Sequence, residues 1–397
     1  MKILIFSQYF YPERFLINEI ADELVKGGHE VTVVTGLPNY PSGIIPEEYK
    51  HGKRREETIG GVKVIRTPVI ARGKNFFKLA LNYFSFMFSA HATAKKIKGE
   101  YDAVFLYQLT PILQAYPAIK YAKAHNKPLI CYCLDLAPAS GNGILGKFGF
   151  VMKPYTKFSR WAYASCDRIM VTSKRFTEYL EQVHDIDRKI ITYVPQHSGK
   201  ALIEADLTKT EDTGVYDFMF AGNIGKGASL KTIVEAMEKL SKKCDNFRMH
   251  FVGDGSYKKT LVEMVEEKGI NKYFVFHDPV SADAMPDKYK LADGLIVTLR
   301  AGQITVPAKL QAYMSTGKMI FGALDGSGND MINEAECGIC VDAEDAQALA
   351  DALYDYITNA EKYESCGKNG RAYFKENFTV EKFMHDFNEV LTQTING

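Results

Sequence analysis

The sequence predicts an α/β protein built from two doubly wound domains in series, and three observations support this. Short, nearly continuous apolar runs alternate with amphipathic helical stretches along both halves of the chain. Such runs are typical of strands buried on both faces of a parallel sheet. A polar, aperiodic stretch interrupts the pattern once, and the 397 residues exceed what one hydrophobic core usually holds.

The first array of elements is assigned to an N-terminal domain, residues 1–198. It opens with the strand KILIFSQYF and the helix ERFLINEIADELVKGG, whose final glycines suit a helix C-terminus. The next strands are predicted, in order, at HEVTVVTG, VKVIRTP, YDAVFLYQ, KPLICYCLD, DRIMVTS and KIITYVP. Residues 199–215 are polar and lose periodicity, which predicts a linker.

The second array is assigned to a C-terminal domain, residues 216–375, followed by a helix over 376–397. Its strands are predicted at YDFMFAGN, FRMHFVGDG, YFVFHD, GLIVTLR and KMIFGALDG. Doubly wound sheets bind ligands beyond the carboxyl ends of their strands. The functional residues are therefore expected in the loops at those ends.

Composition excludes several classes of function. With 49 Lys and Arg against 48 Asp and Glu, the net charge of +1 predicts no nucleic-acid partner. The seven cysteines are odd in number and lie mostly in apolar runs, which argues against disulfides and for a reducing compartment. We expect a cytoplasmic protein, because the N-terminus lacks a signal-peptide layout and no apolar run reaches the ~20 residues of a membrane span.

Two glycine-rich turns predict contact with a phosphate. FAGNIGKGAS, residues 220–229, joins a predicted strand to a helix, so its glycines allow close approach and the helix directs free N–H groups at an anion. It lacks the final Lys-Ser/Thr of a P-loop, and a purely structural turn stays open. In the second turn, FVGDGS, Asp254 either accepts from a ligand hydroxyl or closes its own turn.

The segment GQITVPAKLQAYMSTGK, residues 302–318, is the most informative. Pro307 suits the first turn of a helix, whereas Lys309 in that turn opposes the helix dipole. A cation in this position indicates an anionic ligand bound to both the lysine and the helix. A solvated surface lysine is the alternative.

Taken in order, these segments resemble the GT-B glycosyltransferases of the large retaining group called glycosyltransferases group one. FYPERFLINEIADELVKGGHEVTVVTGLPNYPSG is similar to the opening of bacterial capsule and O-antigen transferases, and FAGNIGKGASLKTIVEA, FVGDGS, FVFHDPVSADAMPDKYKLADGLIVTL and VPAKLQAYMSTGK follow the family's C-terminal domain. The resemblance implies two Rossmann-like domains facing a cleft, with the C-terminal helix crossing back to the N-terminal domain.

The chain departs from the family at four positions. Asn223 and Ala228 stand where the family usually has Arg and Lys, and Ile304 and Ala312 stand where it has two glutamates, the second of which contacts the ribose. Lys226 and Gln311 are the candidate substitutes.

The resemblance implies a metal-independent retaining transferase with no cofactor, which moves a sugar from a UDP-sugar to a glycan or lipid-linked acceptor of a capsule or O-antigen. The leaving diphosphate gains negative charge, which Lys309 would stabilise as a catalytic residue. The predicted donor-binding residues are Gly222, Asn223, Lys226, Gly253, Asp254, His277, Thr305, Val306, Pro307, Lys309 and Gln311.

The acceptor is expected to contact the N-terminal domain. Asp135 ends the apolar run LICYCL, where it would orient or deprotonate an acceptor hydroxyl, or else cap a helix. The turn TGLPNYPSG presents Asn39 and Tyr40, and Pro12 and Asn18 are expected to line the same space.

Two basic, aromatic and acid-free stretches, residues 71–99 and 146–163, predict peripheral contact with an anionic membrane surface. A buried helix is the alternative for the first stretch. Two other functions also stay open, namely a UDP-sugar epimerase of the same fold and a non-catalytic partner subunit.

Overall fold

The computed structural model describes residues 1–73, 75–139, 149–198, 202, 205–209 and 213–396. It confirms the α/β class, with an eight-stranded and a six-stranded sheet. The chain divides into two compact units. Unit 1 comprises Met1–Val194 with Met384–Gly397, and unit 2 comprises Pro195–Phe383.

The sheet of unit 1 has the order β3-β4-β2-β1-β5-β6-β7-β8. Its pairs are parallel except for β3 and β4. The edge strand β3 was not predicted, because its sequence EETI has a single apolar residue and no fully buried position. The strands are β1 Lys2–Phe6, β2 Glu30–Gly36, β3 Glu56–Ile59, β4 Val62–Thr67, β5 Ala103–Gln108, β6 Leu129–Cys133, β7 Arg168–Val171 and β8 Ile191–Tyr193.

Five helices accompany these strands within the described part of unit 1. The first is amphipathic, with Ile17, Ile20 and Leu24 buried against the sheet, and it ends at a glycine as predicted. The helices are α1 Leu16–Lys26, α2 Phe76–Ala94, α3 Ala115–His125, α4 Gly149–Tyr163 and α5 Lys174–His184.

The sheet of unit 2 is parallel throughout, with the order β11-β10-β9-β12-β13-β14. The strand order reverses at β9, which lies between β10 and β12, and such a reversal opens a crevice at the carboxyl ends of the strands. The strands are β9 Tyr216–Ala221, β10 Phe247–Val252, β11 Phe274–His277, β12 Gly294–Thr298, β13 Met319–Ala323 and β14 Gly338–Val341.

Helices cover both faces of this sheet and bury two apolar clusters against it. They are α6 Leu230–Leu240, α7 Lys258–Glu267, α8 Met285–Tyr289, α9 Lys309–Ser315, α10 Gly326–Glu334, α11 Ala346–Thr358 and α12 Glu364–Asn377.

The last helix, α13 Val380–Asn396, leaves unit 2 and joins unit 1 from Met384 onward. The ring of Phe387 meets that of Phe105 on β5 edge to face, with centroids 4.9 Å apart. Phe387 and Leu391 are almost fully buried. The return of this helix to the N-terminal unit agrees with the fold class that the resemblance implied.

The outer face of α2 is apolar and exposed. Phe77, Leu81, Phe84 and Phe88, spaced as one helical stripe, are 76%, 51%, 45% and 59% exposed. The alternative prediction, that the basic stretch 71–99 forms a buried helix, is therefore wrong for this face of α2. In the ranges that the structure describes, no helix has the length and apolarity to cross a membrane. Lys74 of the first basic stretch and residues 146–148 of the second lie outside the described residues.

Candidate active site

Two glycine turns pack backbone to backbone at the carboxyl ends of β9 and β10. The Gly222 N–H donates to the Val252 carbonyl oxygen over 2.9 Å. A Cβ on Gly253, whose φ is +140°, would lie 2.1 Å from the Gly222 oxygen, and one on Gly255 would lie 2.3 Å from the Ile224 oxygen. Only glycine fits at such an approach, so both turns of the predicted phosphate site form one surface.

Helix α9 is fixed onto the end of β9. The Tyr313 hydroxyl donates to the carbonyl oxygen of Ala221 and accepts from its N–H, at 3.1 and 2.8 Å. One turn earlier, the Lys309 Nζ lies 3.5 Å from the Phe220 ring centroid. The same ammonium would be 3.4 Å from a Cβ on Gly222. Lys309 therefore lies directly beside the first glycine turn.

Lys309 is a half-buried cation without a counter-charge. Burial lowers its pKa from 10.5 to about 7, and no carboxylate among the described residues forms an ion pair with it. Desolvation disfavours the charged amine, and a nearby anion would restore it. A strongly shifted group at the end of a switch-point strand is a candidate functional group.

The loop before α9 differs in one detail from the prediction. Thr305, Val306 and Pro307 lie in this loop and are half-buried, but α9 begins at Lys309 with Ala308 as its N-cap. Pro307 therefore precedes the first turn instead of belonging to it.

Gln311 is a buried acceptor that lacks a partner. It is 3% exposed, and its Oε1 accepts no hydrogen bond from the residues that the structure describes. A buried amide oxygen of this kind costs free energy unless it is satisfied. A ligand hydroxyl near α9 would satisfy it.

Three further predicted donor residues, Asn223, Lys226 and Asp254, are exposed on the two turns. The Asp254 carboxylate accepts no hydrogen bond within the described chain, so the turn-closing bond considered above is not formed. The turn instead closes through its backbone, where the Asp254 carbonyl oxygen accepts from the Ile224 N–H at 2.8 Å.

Sequence reasoning missed Arg300. This residue follows β12, and its Nε donates to the Lys226 carbonyl oxygen over 3.1 Å, which brings a second cation to the first glycine turn. The sequence feature that could have identified Arg300 was its position at the end of the predicted strand GLIVTLR. The adjacency of β9 and β12, which are distant in sequence, could not be read from that signal.

His277 ends β11 and takes part in a buried polar chain. Its Nε2 lies 2.9 Å from the Nδ1 of His250, whose Nε2 lies 2.8 Å from the Asp217 carboxylate. Burial, Lys288 and His250 together lower the pKa of His277. The His277 side chain is thus held by the sheet, while its carbonyl oxygen accepts from Lys258, which also reaches the oxygen of the second glycine turn.

In unit 1, Asp135 follows β6 and is half-buried. Its Oδ2 accepts from the Thr110 N–H at 2.9 Å, across to the loop after β5. It does not cap a helix at Ala137, because the Ala137 N–H donates to the Tyr163 hydroxyl. The other carboxylate oxygen, Oδ1, accepts no hydrogen bond from the residues that the structure describes.

An arginine and several tyrosines surround the same end of the unit 1 sheet. The Arg72 guanidinium lies 5.2 Å from the Tyr40 ring centroid and donates to the Tyr9 hydroxyl at 3.1 Å. It also lies close enough to the Tyr83 hydroxyl of α2 to act on its pKa. Burial raises the pKa of Tyr83, and the nearby Tyr40 and Asp135 add to that rise.

The predicted acceptor residues have different positions. Tyr40 is 42% exposed and Pro12 is exposed, but Asn39 and Asn18 are buried. The Asn39 Oδ1 accepts from the Arg72 N–H, and its Nδ2 donates to a backbone oxygen of its own loop. Asn39 therefore holds two loops together, which corrects the prediction that it is presented to a sugar.

Asn18 acts in the same way, since its Nδ2 donates to the Glu13 carbonyl oxygen at 2.8 Å. Sequence reasoning missed the buried Glu13, whose Oε1 accepts from the N–H groups of Asn39 and Tyr40. Glu13 thus orients the exposed Tyr40.

Among the described residues, one group could hold a metal ion, namely His385, Asp386 and Glu389 on α13. None of these three belongs to the turns or loops around Lys309 and Asp135.

Family comparisons match the chain in two adjacent parts. Residues 16–196 match the family described as Glycosyltransferase Family 4, and residues 205–373 match Glycosyl transferases group 1. This chain is a group 1 glycosyltransferase. The first match covers most of unit 1, with Asp135 and Arg72, and the second carries both glycine turns and Lys309.

Relatives along the whole length support this family. WcaI of Escherichia coli K12, assigned to colanic acid biosynthesis as a glycosyl transferase, is 24% identical over 89% of this chain and 91% of its own. The O-antigen chain mannosyltransferase C of E. coli is 20% identical over the full length of both. A GDP-mannose-dependent phosphatidylinositol monomannoside mannosyltransferase of Mycolicibacterium smegmatis is 21% identical over 37% of this chain and 40% of its own.

Solved structures support the GT-B fold. HepE of Anabaena, solved in complex with UDP, superposes with a TM-score of 0.72 at 14% identity over 99% of this chain and 100% of its own. Sucrose-phosphate synthase of Thermosynechococcus elongatus superposes with a TM-score of 0.75 at 15% identity, over 99% of this chain and 98% of its own. The family matches and the named relatives, rather than the shared fold, favour glycosyl transfer over the epimerase and the non-catalytic subunit.

Proposed function

We propose that this glycosyltransferase moves a hexose from UDP-sugar to a lipid-linked glycan in capsule or O-antigen synthesis, with retention and without a metal ion. The observation that supports this best is Lys309, a half-buried ammonium beside Gly222 with no described counter-charge. A diphosphate seated on the two glycine turns would supply that charge.

The chemistry follows from this arrangement. As the bond between the anomeric carbon and the diphosphate oxygen breaks, negative charge grows on the leaving group and the sugar becomes cation-like. Lys309 is held beside the first glycine turn before the reaction, so it would stabilise that charge without reorganising. Arg300 and Lys226 add positive charge at the outer side of the first turn.

The nucleoside is proposed to extend from the diphosphate along α9 and towards the end of β11. The orphaned Gln311 oxygen is the acceptor for a ribose hydroxyl, in place of the family glutamate. The backbone at His277 borders the second glycine turn through Lys258, and it is the proposed contact for the base.

A GDP-sugar is the second candidate donor, because the mycobacterial relative is named for GDP-mannose and the full-length E. coli relative for mannose. Thermal unfolding with UDP, GDP and their sugars distinguishes the two. We expect stabilisation by UDP and UDP-sugars. Stabilisation by GDP-mannose with no response to UDP would reassign the donor, and no response to any nucleotide would refute the donor site.

On the acceptor side, Asp135 is proposed to orient or deprotonate the acceptor hydroxyl, since its Oδ1 has no hydrogen-bond donor among the described residues. Retention is tested by nuclear magnetic resonance of the product anomer, and metal independence by activity in excess chelator. An inverted product, or activity abolished by chelator and restored by a divalent ion, would overturn those two parts of the proposal.

We further propose that unit 1 binds the cytoplasmic face of an anionic membrane through α2. Its exposed stripe of Phe77, Leu81, Phe84 and Phe88 is flanked after the helix by the exposed Lys95, Lys96 and Lys98. Each exposed cation near an anionic surface contributes about 1 kcal/mol, and inserted aromatic side chains add a salt-resistant part.

Vesicle co-sedimentation at low and high salt tests this. We expect binding to anionic vesicles, loss of the salt-sensitive part on changing the three lysines to Glu, and loss of the remainder in Phe77→Ser/Phe88→Ser. Ile44→Ser, which changes an equally exposed apolar residue of unit 1, should bind as the wild type does. Equal sedimentation with neutral and anionic vesicles would refute the electrostatic part.

A further inference from the structure

We infer that Arg72 and Tyr83 form a binding site for a phosphate ester carried by the acceptor. This inference rests on the proposed lipid-linked acceptor and adds the chemical group by which the acceptor is held. Neither the sequence pattern nor the family comparisons assign a role to Arg72.

The first observation is that Arg72 is fixed but lacks an acidic partner. Its guanidinium donates to the Tyr9 hydroxyl, stacks over the Tyr40 ring and lies near Tyr83. Within the described ranges, no carboxylate lies at ion-pair distance from it. A guanidinium carries five N–H donors in a rigid fork that matches an oxyanion with two oxygens, and those not used by the phenols remain for such a ligand.

The backbone of Arg72 is held at its N–H group and closely packed at its carbonyl oxygen. Its backbone N–H donates to the buried Asn39 side chain. A Cβ on Gly43 would lie 2.2 Å from the Arg72 carbonyl oxygen, so the loop packs on the turn that presents Tyr40. The guanidinium is therefore positioned before any ligand binds, which lowers the entropy lost on binding.

The second observation gives the class of ligand. Tyr83 lies on α2 between Leu81 and Phe84, two members of the exposed apolar stripe. Residues one or two apart on a helix point to different sides, so Tyr83 lies off the stripe, but an oxyanion on Arg72 and Tyr83 would lie against the same helix that carries it. This pairing of a fixed cation with an adjacent apolar surface suits an amphiphile whose polar end is a phosphate, better than a free sugar.

The third observation connects the site to the reaction. Asp135 accepts from the Thr110 N–H in the loop after β5, and α2, which carries Tyr83, packs on the turn Ile112–Gln114 of that loop. An acceptor held by its phosphate at Arg72 would therefore have its sugar hydroxyls on the Asp135 side of Tyr83. The phosphate positions the acceptor, and no bond to it is made or broken.

The test uses octyl phosphate, octyl glucoside and glucuronate as probes for calorimetric titration of the full chain. We expect the wild type to bind octyl phosphate more tightly than the neutral octyl glucoside. Arg72→Gln should weaken octyl phosphate about tenfold to a hundredfold, the scale of a charge-assisted hydrogen bond, while Arg72→Lys should lie in between. The matched control Arg188→Gln changes an exposed arginine of the same unit and should have no effect.

Three further outcomes decide the proposal. The double variant Leu81→Ser/Phe84→Ser should bind octyl phosphate more weakly than the wild type but bind inorganic phosphate with unchanged affinity. Equal wild-type affinity for octyl phosphate and octyl glucoside would overturn the site, and Arg72-dependent binding of glucuronate without octyl phosphate would overturn the phosphate assignment. UDP binding of Arg72→Gln should equal that of the wild type, so failure of this site is distinguishable from failure of the donor proposal.

Discussion

Replacing Lys309 by Met should make the protein more stable and at the same time weaken donor binding. The native lysine is half-buried without a described counter-charge, and burial lowers its pKa to about 7. Methionine keeps an unbranched apolar chain over the Phe220 ring and removes the cost of desolvating the ammonium.

The size of the stability gain follows from proton linkage. The pKa of Lys309 lies near 10.5 in the unfolded chain and about 7 in the folded one. One unit of pKa difference corresponds to about 1.4 kcal/mol, so the penalty approaches about 4 kcal/mol near pH 7 and local relaxation reduces it. Because the folded pKa is depressed, this cost is absent above the unfolded pKa, grows as the pH falls, and is complete below pH 7.

Urea unfolding at pH 6 and pH 9.5 measures this dependence. We expect the free energy of unfolding of Lys309→Met to exceed that of the wild type by at least about 1 kcal/mol at pH 6. The difference should be clearly smaller at pH 9.5. Lys226→Met, which removes an exposed lysine from the nearby turn, should change stability little at either pH. Calorimetry should show UDP binding weakened by about 1.5–3 kcal/mol in Lys309→Met, since a charge-assisted contact to the diphosphate is lost.

Wild-type UDP affinity should also fall as the pH rises above 7, because the free lysine then loses its proton and binding must restore it. Lys309→Met should lack this slope. An equal stability change at both pH values would refute the burial argument, and unchanged UDP affinity would refute the role of Lys309 at the diphosphate.

Three other variants test the remaining parts of the site and fold. Asp135→Asn should lower the turnover number at least tenfold, measured by kinetics, while UDP affinity, measured by calorimetry, stays within about twofold of the wild type. Turnover equal to that of the wild type with the true acceptor would contradict the role of Asp135 at the acceptor hydroxyl. Gly253→Ala should cost about 2 kcal/mol or more in urea unfolding, because its Cβ would overlap the Gly222 oxygen at a φ of +140°. Burial alone would raise the pKa of Asp217, but hydrogen bonds from His250, Arg248 and Lys209 hold it well below the ordinary value. Asp217→Asn should therefore cost about 3 kcal/mol at pH 7, a difference that shrinks as the pH falls below about 4; a constant difference would argue against the ionised pair.

The strand and helix pattern could be predicted from the sequence because each element depends mainly on its own residues. Strands buried on both faces need apolar side chains at nearly every position, as in β5 and β6. The edge strand β3 was missed because an edge imposes no such requirement, and its pairing with β4 depends on neighbours along the sheet.

The candidate site divides in the same way. The glycine turns and Lys309 could be identified from the sequence alone, because close backbone approach requires glycine and an unfavourable charge near a helix start is visible in the order of residues. Burial and pairing required the tertiary structure. It showed that Asn39 is used inside the protein while Arg72 lacks a described acidic partner, and that Arg300 reaches the turn of Lys226. These facts depend on which distant segments meet, and strand order and packing decide that, because local sequence patterns do not record contacts between residues far apart in the chain.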